Sequence, residues 1–156
     1  MRIITGSARG VRLKSPAGDG TRPTADRTRE AVFSILGNRV VDARVLDLFA
    51  GTGALALEAL SRGAVCAVLI DRATQAILME NARRTKMEKY VEIRRGDVFG
   101  QAAALARTGC AFDLIFADPP YGQGDHIRVL SAVDAGRLLA EDGLLILEQG
   151  ADESVA

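Results

Sequence analysis

Apolar residues fall in short runs separated by stretches of helical period, and that pattern predicts the fold before any single motif does. Residues 2–14 read as a short hairpin: Ile3 and Ile4, the turn-prone Gly6-Ser7-Ala8-Arg9-Gly10, then Val11 and Leu13 between Arg12 and Lys14. Residues 15–23 are rich in Gly, Pro and Asp and have the composition of a loop. Thr24 is placed to N-cap a helix whose apolar face is Ala31, Val32, Ile35 and Leu36, with Gly37 just past its end. Strands and helices then alternate. Apolar strands are expected at residues 45–49, 66–70, 91–93, 114–117 and 144–147, and helices at 55–62, 74–86, 101–107 and 127–140. Apolar runs too short for helices, separated by helical periods, predict an α/β fold: a doubly wound, mainly parallel sheet covered on both faces. Its ligand site is expected at the carboxyl ends of the strands, near the topological switch. Residues 1–38 form an N-terminal hairpin and helix, and residues 39–156 the core.

Length and composition narrow the class. The 156 residues, 48% hydrophobic and 26% charged, suit one globular domain and exclude disorder and collagen-like repeats. No apolar run approaches the roughly 18 residues needed to span a bilayer, and MRIITGSARG has no signal-peptide core, so the expected compartment is the cytoplasm, with no membrane partner. Cys66 and Cys110 sit singly in apolar stretches, reading as buried free thiols; nothing in their spacing calls for a metal. His126 reads as a solvated helix-start residue, and the cluster Arg83, Arg84, Lys86, Lys89, Arg94 and Arg95 as a solvated helix end and strand edge.

The net charge of zero hides an asymmetry. Residues 1–39 carry eight basic side chains against three acidic ones, and the remainder 12 against 17. A basic arm on an acidic body is a footprint for a polyanionic partner, since phosphates release counterions to clustered Lys and Arg. A solvated polar face is the other reading of the same charges.

Two motifs carry chemistry. Asp47-Leu48-Phe49-Ala50-Gly51-Thr52-Gly53 leaves the first core strand and enters a helix, and Gly51 and Gly53 let the backbone turn beside a ligand. Asp71 ends the next strand, where a carboxylate can accept hydrogen bonds from both hydroxyls of a ribose. The layout is that of a nucleoside site. Gly51-x-Gly53-x-x-Ala56 also fits a dinucleotide fingerprint, so NAD(P) competes. Asp47 weighs against it, because a carboxylate beside the loop repels a pyrophosphate and suits an ammonium. Asp97 either accepts from an adenine amino group or closes an Asx turn. Asp118-Pro119-Pro120-Tyr121 follows the fourth strand, and its prolines hold the Asp118 side chain and nearby carbonyls as a rigid set of acceptors for an NH₂ group. Tyr121 offers a face on which a flipped base can stack.

Together, DLFAGTG and DPPY resemble the class I S-adenosylmethionine-dependent methyltransferases that modify exocyclic or amide nitrogens. Arg2-Ile3-Ile4-Thr5-Gly6 with Arg9-Gly10, then Arg22-Pro23-Thr24-x-x-Arg27-x-Arg29-Glu30-Ala31-Val32-Phe33-Ser34-Ile35-Leu36, and Leu57-Glu58-Ala59-Leu60-Ser61-Arg62-Gly63-Ala64 narrow the resemblance to the bacterial 16S ribosomal RNA guanine-N2 methyltransferases. The resemblance implies S-adenosylmethionine as cofactor and 16S rRNA or a small-subunit assembly particle as partner, with guanine 966 the expected nucleotide. It assigns the cofactor to Asp47, Phe49, Ala50, Gly51, Thr52, Gly53, Asp71, Arg72, Asp97 and Val98, and the target base to Asp118, Pro119, Pro120 and Tyr121. RNA phosphates fall to Arg9, Arg12, Arg22, Arg27 and Arg29, though each of these could instead serve as a surface charge or ion-pair partner. DPPY alone also admits DNA adenine or protein glutamine methylation, and a non-catalytic RNA-binding module is a further alternative. Family members carry a final antiparallel hairpin after the fifth core strand, which the polar residues 148–156 do not resemble. The last strand is therefore expected at a sheet edge, in a monomer or a weak edge-paired dimer.

Overall fold

The computed structural model of the chain describes residues 1–16, 23–120 and 124–148. Five parallel strands, β1 (Arg44–Leu48), β2 (Cys66–Asp71), β3 (Val91–Arg95), β4 (Phe112–Ala117) and β5 (Leu139–Leu147), lie in the order β3-β2-β1-β4-β5. The helices are α1 (Pro23–Leu36), α2 (Ala54–Ser61), α3 (Gln75–Arg84), α4 (Val98–Arg107) and α5 (Asp125–Ala135). The order reverses between β1 and β4, so the crevice of a doubly wound sheet opens above their carboxyl ends.

Two apolar layers sandwich the sheet because its strands alternate. Val45, Leu69, Leu114 and Phe116 point to one side, where Leu57 and Leu60 of α2, Leu78 of α3 and Phe33 and Leu36 of α1 cover them. Leu46, Leu48, Ile70 and Ile115 point to the other, onto Val98 and Leu105 of α4 and Val129 and Val133 of α5. The N-terminal arm belongs to the first layer: Ile3, Ala8 and Leu13 are buried in it. The arm is a hairpin, closed by the Arg2–Arg12 bridge and by bonds from the Ile3 N–H to the Val11 carbonyl and from the Gly10 N–H to the Ile3 carbonyl. Gly6 is where it crosses α2; at φ +94° a side chain there would run into the Ser61 carbonyl.

Several elements differ from expectation. Helix α1 begins at Pro23, so Thr24 lies inside it rather than capping it; proline fits a first helical turn, which needs no N–H. Its buried face is Arg29, Phe33 and Leu36, with Val32 half-buried, whereas Ile35 is 84% exposed and Ala31 faces solvent. Phe33 takes the core position because its ring meets Phe116 at 5.7 Å and the Arg62 guanidinium at 4.8 Å. Helix α5 ends at Ala135. Gly136 and Arg137, the latter at φ 51°, turn the chain so that Leu139 enters β5 opposite Phe112. That strand starts earlier than its apolar run because a bulge absorbs the residues between Leu139 and Leu144. It forms one edge of the sheet. The thiols are less buried than expected: Cys66 is half-buried and Cys110 exposed. His126 is the reverse, 4% exposed in the first turn of α5. No helix among the described residues is long and apolar enough to cross a membrane.

Candidate active site

A cavity of about 600 Å³ opens at the carboxyl ends of the strands, lined by Phe49 after β1, Asp71 and Arg72 after β2, and Asp97, Val98 and Phe99 after β3. Asp118, Pro119 and Pro120 after β4, with Asp125 and Arg128 on α5, complete the wall. Parallel strands direct all these loops to one end, so residues scattered between 49 and 128 meet there.

The loop between β1 and α2 is tightly bonded within itself. The Ala50 N–H donates to the Ile70 carbonyl (2.9 Å), the Gly51 N–H to Asp71 Oδ2 (2.9 Å) and the Gly53 N–H to the Ala50 carbonyl (2.8 Å). The Ala54 N–H donates to Thr52 Oγ1 at 3.3 Å. Gly53 must be glycine: at φ +81° a side chain would press on Leu78 and Leu69. Phe49 holds φ 62° without being glycine, a strained conformation of the kind that gathers at ligand sites. Phosphate sites at helix N-termini work through free backbone N–H groups. Here the Gly51, Gly53 and Ala54 donors are already engaged.

Carboxylates dominate instead. Asp71 accepts from the Gly51 N–H through Oδ2 and from the Ala73 (2.9 Å) and Thr74 (3.3 Å) N–H groups through Oδ1, which locks the side chain at the cavity wall. Asp97 caps α4, its Oδ2 accepting from the Gly100 N–H at 2.9 Å. The Asx-type bond is therefore made, and Asp97 still lines the cavity. Asp47 lies in β1 behind the glycine loop and does not reach the cavity wall. Only 2% exposed, it takes the Ala56 N–H, and its Oδ2 has no hydrogen-bond partner. Burial pushes its carboxyl up to about 8; the Ala56 N–H opposes the shift, and the charges of Asp118 and Asp71 add to it. Asp118 stands at the mouth, its carboxyl pushed up to about 6 by partial burial and by the charge and hydrogen bond of Glu148.

Of the residues expected to hold a cofactor, Phe49, Asp71, Arg72, Asp97 and Val98 line the cavity; Ala50, Gly51, Thr52 and Gly53 form the loop behind them, with Asp47. Pro119 is buried and Pro120 exposed at the opening. Tyr121 and Arg22 lie outside the described residues. Arg9, Arg12 and Arg27 are exposed. Arg29 departs from expectation. It is 4% exposed and paired with Asp26 and Glu58, with its guanidinium on the Arg2 carbonyl, so it braces the arm and is not free for phosphate. The sequence reading missed Phe99, Asp125 and Arg128. Phe99 packs edge-on against Phe49 (5.9 Å), and the Arg128 guanidinium lies 3.9 Å over the Phe99 ring while paired with Asp125 at 3.4 Å. The only sequence signal for Phe99 was its place two residues after Asp97; Arg128 had none, since α5 reads as an ordinary amphipathic helix.

Comparison with known proteins shows similarity in sequence and fold. The family described as conserved hypothetical protein 95 matches residues 1–156. The ribosomal RNA small subunit methyltransferase D of Escherichia coli K12 is 38% identical over 150 residues, which span 95% of this chain and 74% of that protein. A hypothetical protein of Thermus thermophilus, of solved structure, is 35% identical with a TM-score of 0.85, over 99% of this chain and 88% of that one. An S-adenosylmethionine-dependent methyltransferase from Agrobacterium tumefaciens shares the fold at 22% identity and a TM-score of 0.69, over 92% of this chain and 50% of its own. By sequence over its whole length, and by fold, the chain belongs to the family of conserved hypothetical protein 95, that of the small subunit ribosomal RNA methyltransferases D.

Proposed function

We propose that this chain methylates the exocyclic N2 amino group of a guanine in 16S ribosomal RNA, with guanine 966 the expected nucleotide. Its coarser activity is S-adenosylmethionine-dependent methylation of ribosomal RNA, as in the relatives of its family. One observation carries the reading: Asp118, Pro119 and Pro120 share a single cavity with the nucleoside-binding carboxylates Asp71 and Asp97.

S-adenosylmethionine fits the residues present, since a ligand with an ammonium, a sulfonium and no phosphate matches a loop whose Gly51, Gly53 and Ala54 donors are engaged and whose surroundings are acidic. When bound it supplies an electrophilic methyl group. The orphaned Asp47 Oδ2 is the buried acceptor available to the ammonium end, beside the Gly51, Thr52 and Gly53 loop. Asp71 keeps lone pairs for ribose hydroxyls beyond those facing Gly51, Ala73 and Thr74. Asp97 Oδ1 is left for the adenine amino group while Oδ2 caps α4, with Val98 packed beside it. Asp118 accepts a hydrogen bond from the guanine amine and orients its lone pair, so that most of the catalysis is positioning. Tyr121 takes the role of base-stacking face.

The arm, residues 1–38, extends the site toward RNA from the core of residues 39–156. Arg9, Arg12 and Arg27 are its phosphate contacts, with Arg22 a fourth. The test is methyl transfer from labelled S-adenosylmethionine to unmodified 16S RNA, naked and within small-subunit particles, followed by nucleoside mass spectrometry. N2-methylguanosine at one position is the expected product. Label in adenine or in protein would overturn the guanine-N2 assignment.

A further inference from the structure

We propose that Glu148 is a positioning residue for methyl transfer, acting through Asp118: it orients the Asp118 carboxyl toward the substrate amine and raises its affinity for the proton the amine gives up. The inference rests on the proposed reading of Asp118 as the residue that holds the amine.

Glu148 lies far from DPPY in sequence and directly beside it in space. Strands β4 and β5 run parallel with Ala117 opposite Leu147, and the Glu148 N–H donates to the Ala117 carbonyl at 2.9 Å. The pairing thus continues one residue past β5 and sets Glu148 next to Asp118. The two side chains are hydrogen-bonded to each other. Partial burial, with the neighbouring charge and hydrogen bond of Glu148, raises the proton affinity of Asp118. Asp118 lines the cavity and is itself exposed to solvent, as is Glu148. Asp118 therefore connects the reacting centre with water.

Among the described residues, the other carboxylates near Asp118 have partners of their own. On β1, Asp47 is buried behind the glycine loop with its own N–H donor from Ala56. On α5, Asp125 is engaged by Arg128. Asp71, after β2, is held by three backbone N–H groups. In the step itself, the amine lone pair forms a bond to the methyl carbon as the carbon–sulfur pair stays with sulfur, turning the sulfonium into a thioether. The methylated nitrogen then gives one N–H proton to ionised Asp118, which releases it to solvent. The amine ends neutral and the pair is restored.

The experiment compares wild type with Glu148→Gln and Glu148→Ala. Glu148 is exposed, so both variants are expected to fold, and circular dichroism melts check it. The first readout needs neither substrate nor cofactor: the Asp118 carboxyl is titrated by carbon-13 NMR. Its midpoint is expected near 6 in wild type and lower in both variants, since removing a neighbouring carboxylate favours the ionised form. The second readout is methyl transfer across pH. The acid limb of the rate should move to lower pH in Glu148→Gln, with kcat down roughly tenfold, less than the loss of a direct proton-transfer group costs. KM for the cofactor should not change. An Asp118 midpoint identical in all three proteins, or an unshifted acid limb with full kcat, overturns the proposal. If wild-type protein methylates no ribosomal RNA, the proposed function fails; the carboxyl titration still decides separately whether Glu148 governs Asp118.

Discussion

Two regions of the molecule gather charged and polar groups, and they treat them in opposite ways. Where the N-terminal arm crosses the body, Glu58 is completely buried yet surrounded by donors: the Ile4 and Thr5 N–H groups at 2.8 and 3.0 Å, Arg62 at 2.9 Å and Arg29 at 3.4 Å. Asn81 of α3 does the same for the end of the arm, accepting from the Lys14 N–H and donating to the Lys14 and Thr52 carbonyls. At the carboxyl ends of the strands, burial raises the proton affinities of Asp47 and Asp118, and neighbouring carboxylates add to the rise. Opposite charges in contact hold a structure together. Like charges gathered at a strand end store a demand for a cation, which a ligand can meet.

The contrast predicts where substitutions act. The largest effect on stability is expected for Glu58→Ala, which strands the buried Arg29 guanidinium and two backbone N–H groups; a loss of about 3–5 kcal/mol should appear in the denaturation midpoint. Asp118→Ala should leave the midpoint near that of wild type and lower kcat by roughly 10²–10³, as for loss of a preorganised polar group at the reacting atoms. S-adenosylhomocysteine binding by that variant, measured calorimetrically, should stay within a few-fold of wild type.

Asp47→Asn sharpens the comparison further, because its two effects have opposite signs. Cofactor affinity should fall by about 1.5–3 kcal/mol, the worth of a hydrogen bond to a charged group. Stability above neutral pH should rise. The folded protein holds the Asp47 proton up to about 8, whereas the unfolded chain releases it near 3.8. The folded state therefore binds the extra proton between those values, and wild-type stability falls as pH climbs from about 4 to about 8. The variant should flatten that slope in melts taken across the range, and cofactor binding by wild type near pH 7 should release a proton.

The smallest effects belong to the arm's surface. Arg9→Ala, Arg12→Ala and Arg27→Ala should each weaken RNA binding a few-fold and reduce the salt slope by about 1, leaving the melting temperature unchanged. Arg29→Ala should behave like Glu58→Ala and lower the melting temperature, since its charge is spent inside. Equal behaviour of Arg27 and Arg29 in both assays would erase the distinction between a bracing and an exposed arginine.

Much of this site was legible because its motifs are local. A glycine turn after one strand, an aspartate ending the next and a proline-braced aspartate after the fourth each announce themselves in a few adjacent residues, and parallel topology brings them together. Arg29 misled for the same reason: its neighbours in sequence are polar and basic, and nothing local shows that Glu58 lies beneath it. Phe33 and Ile35 exchanged their expected places because a helix of mixed polarity offers two candidate apolar stripes, and only the Phe116 ring and the Arg62 guanidinium choose between them. Strand β5 began early because a bulge breaks the alternation that periodicity reads.

The sequence by itself determined the alternation of strands and helices, the doubly wound sheet and three of the cavity's carboxylates, Asp71, Asp97 and Asp118, because each depends on periods and turns only a few residues long. Tertiary structure alone decided which charges are paired and which stand against their own kind. Glu58 meets Arg29 and the arm across more than fifty residues of chain to Ile4 and Thr5, and Glu148 meets Asp118 only because β5 pairs with β4 in one register. Electrostatic character is a property of distance in space, and distance in space is what the linear pattern leaves open.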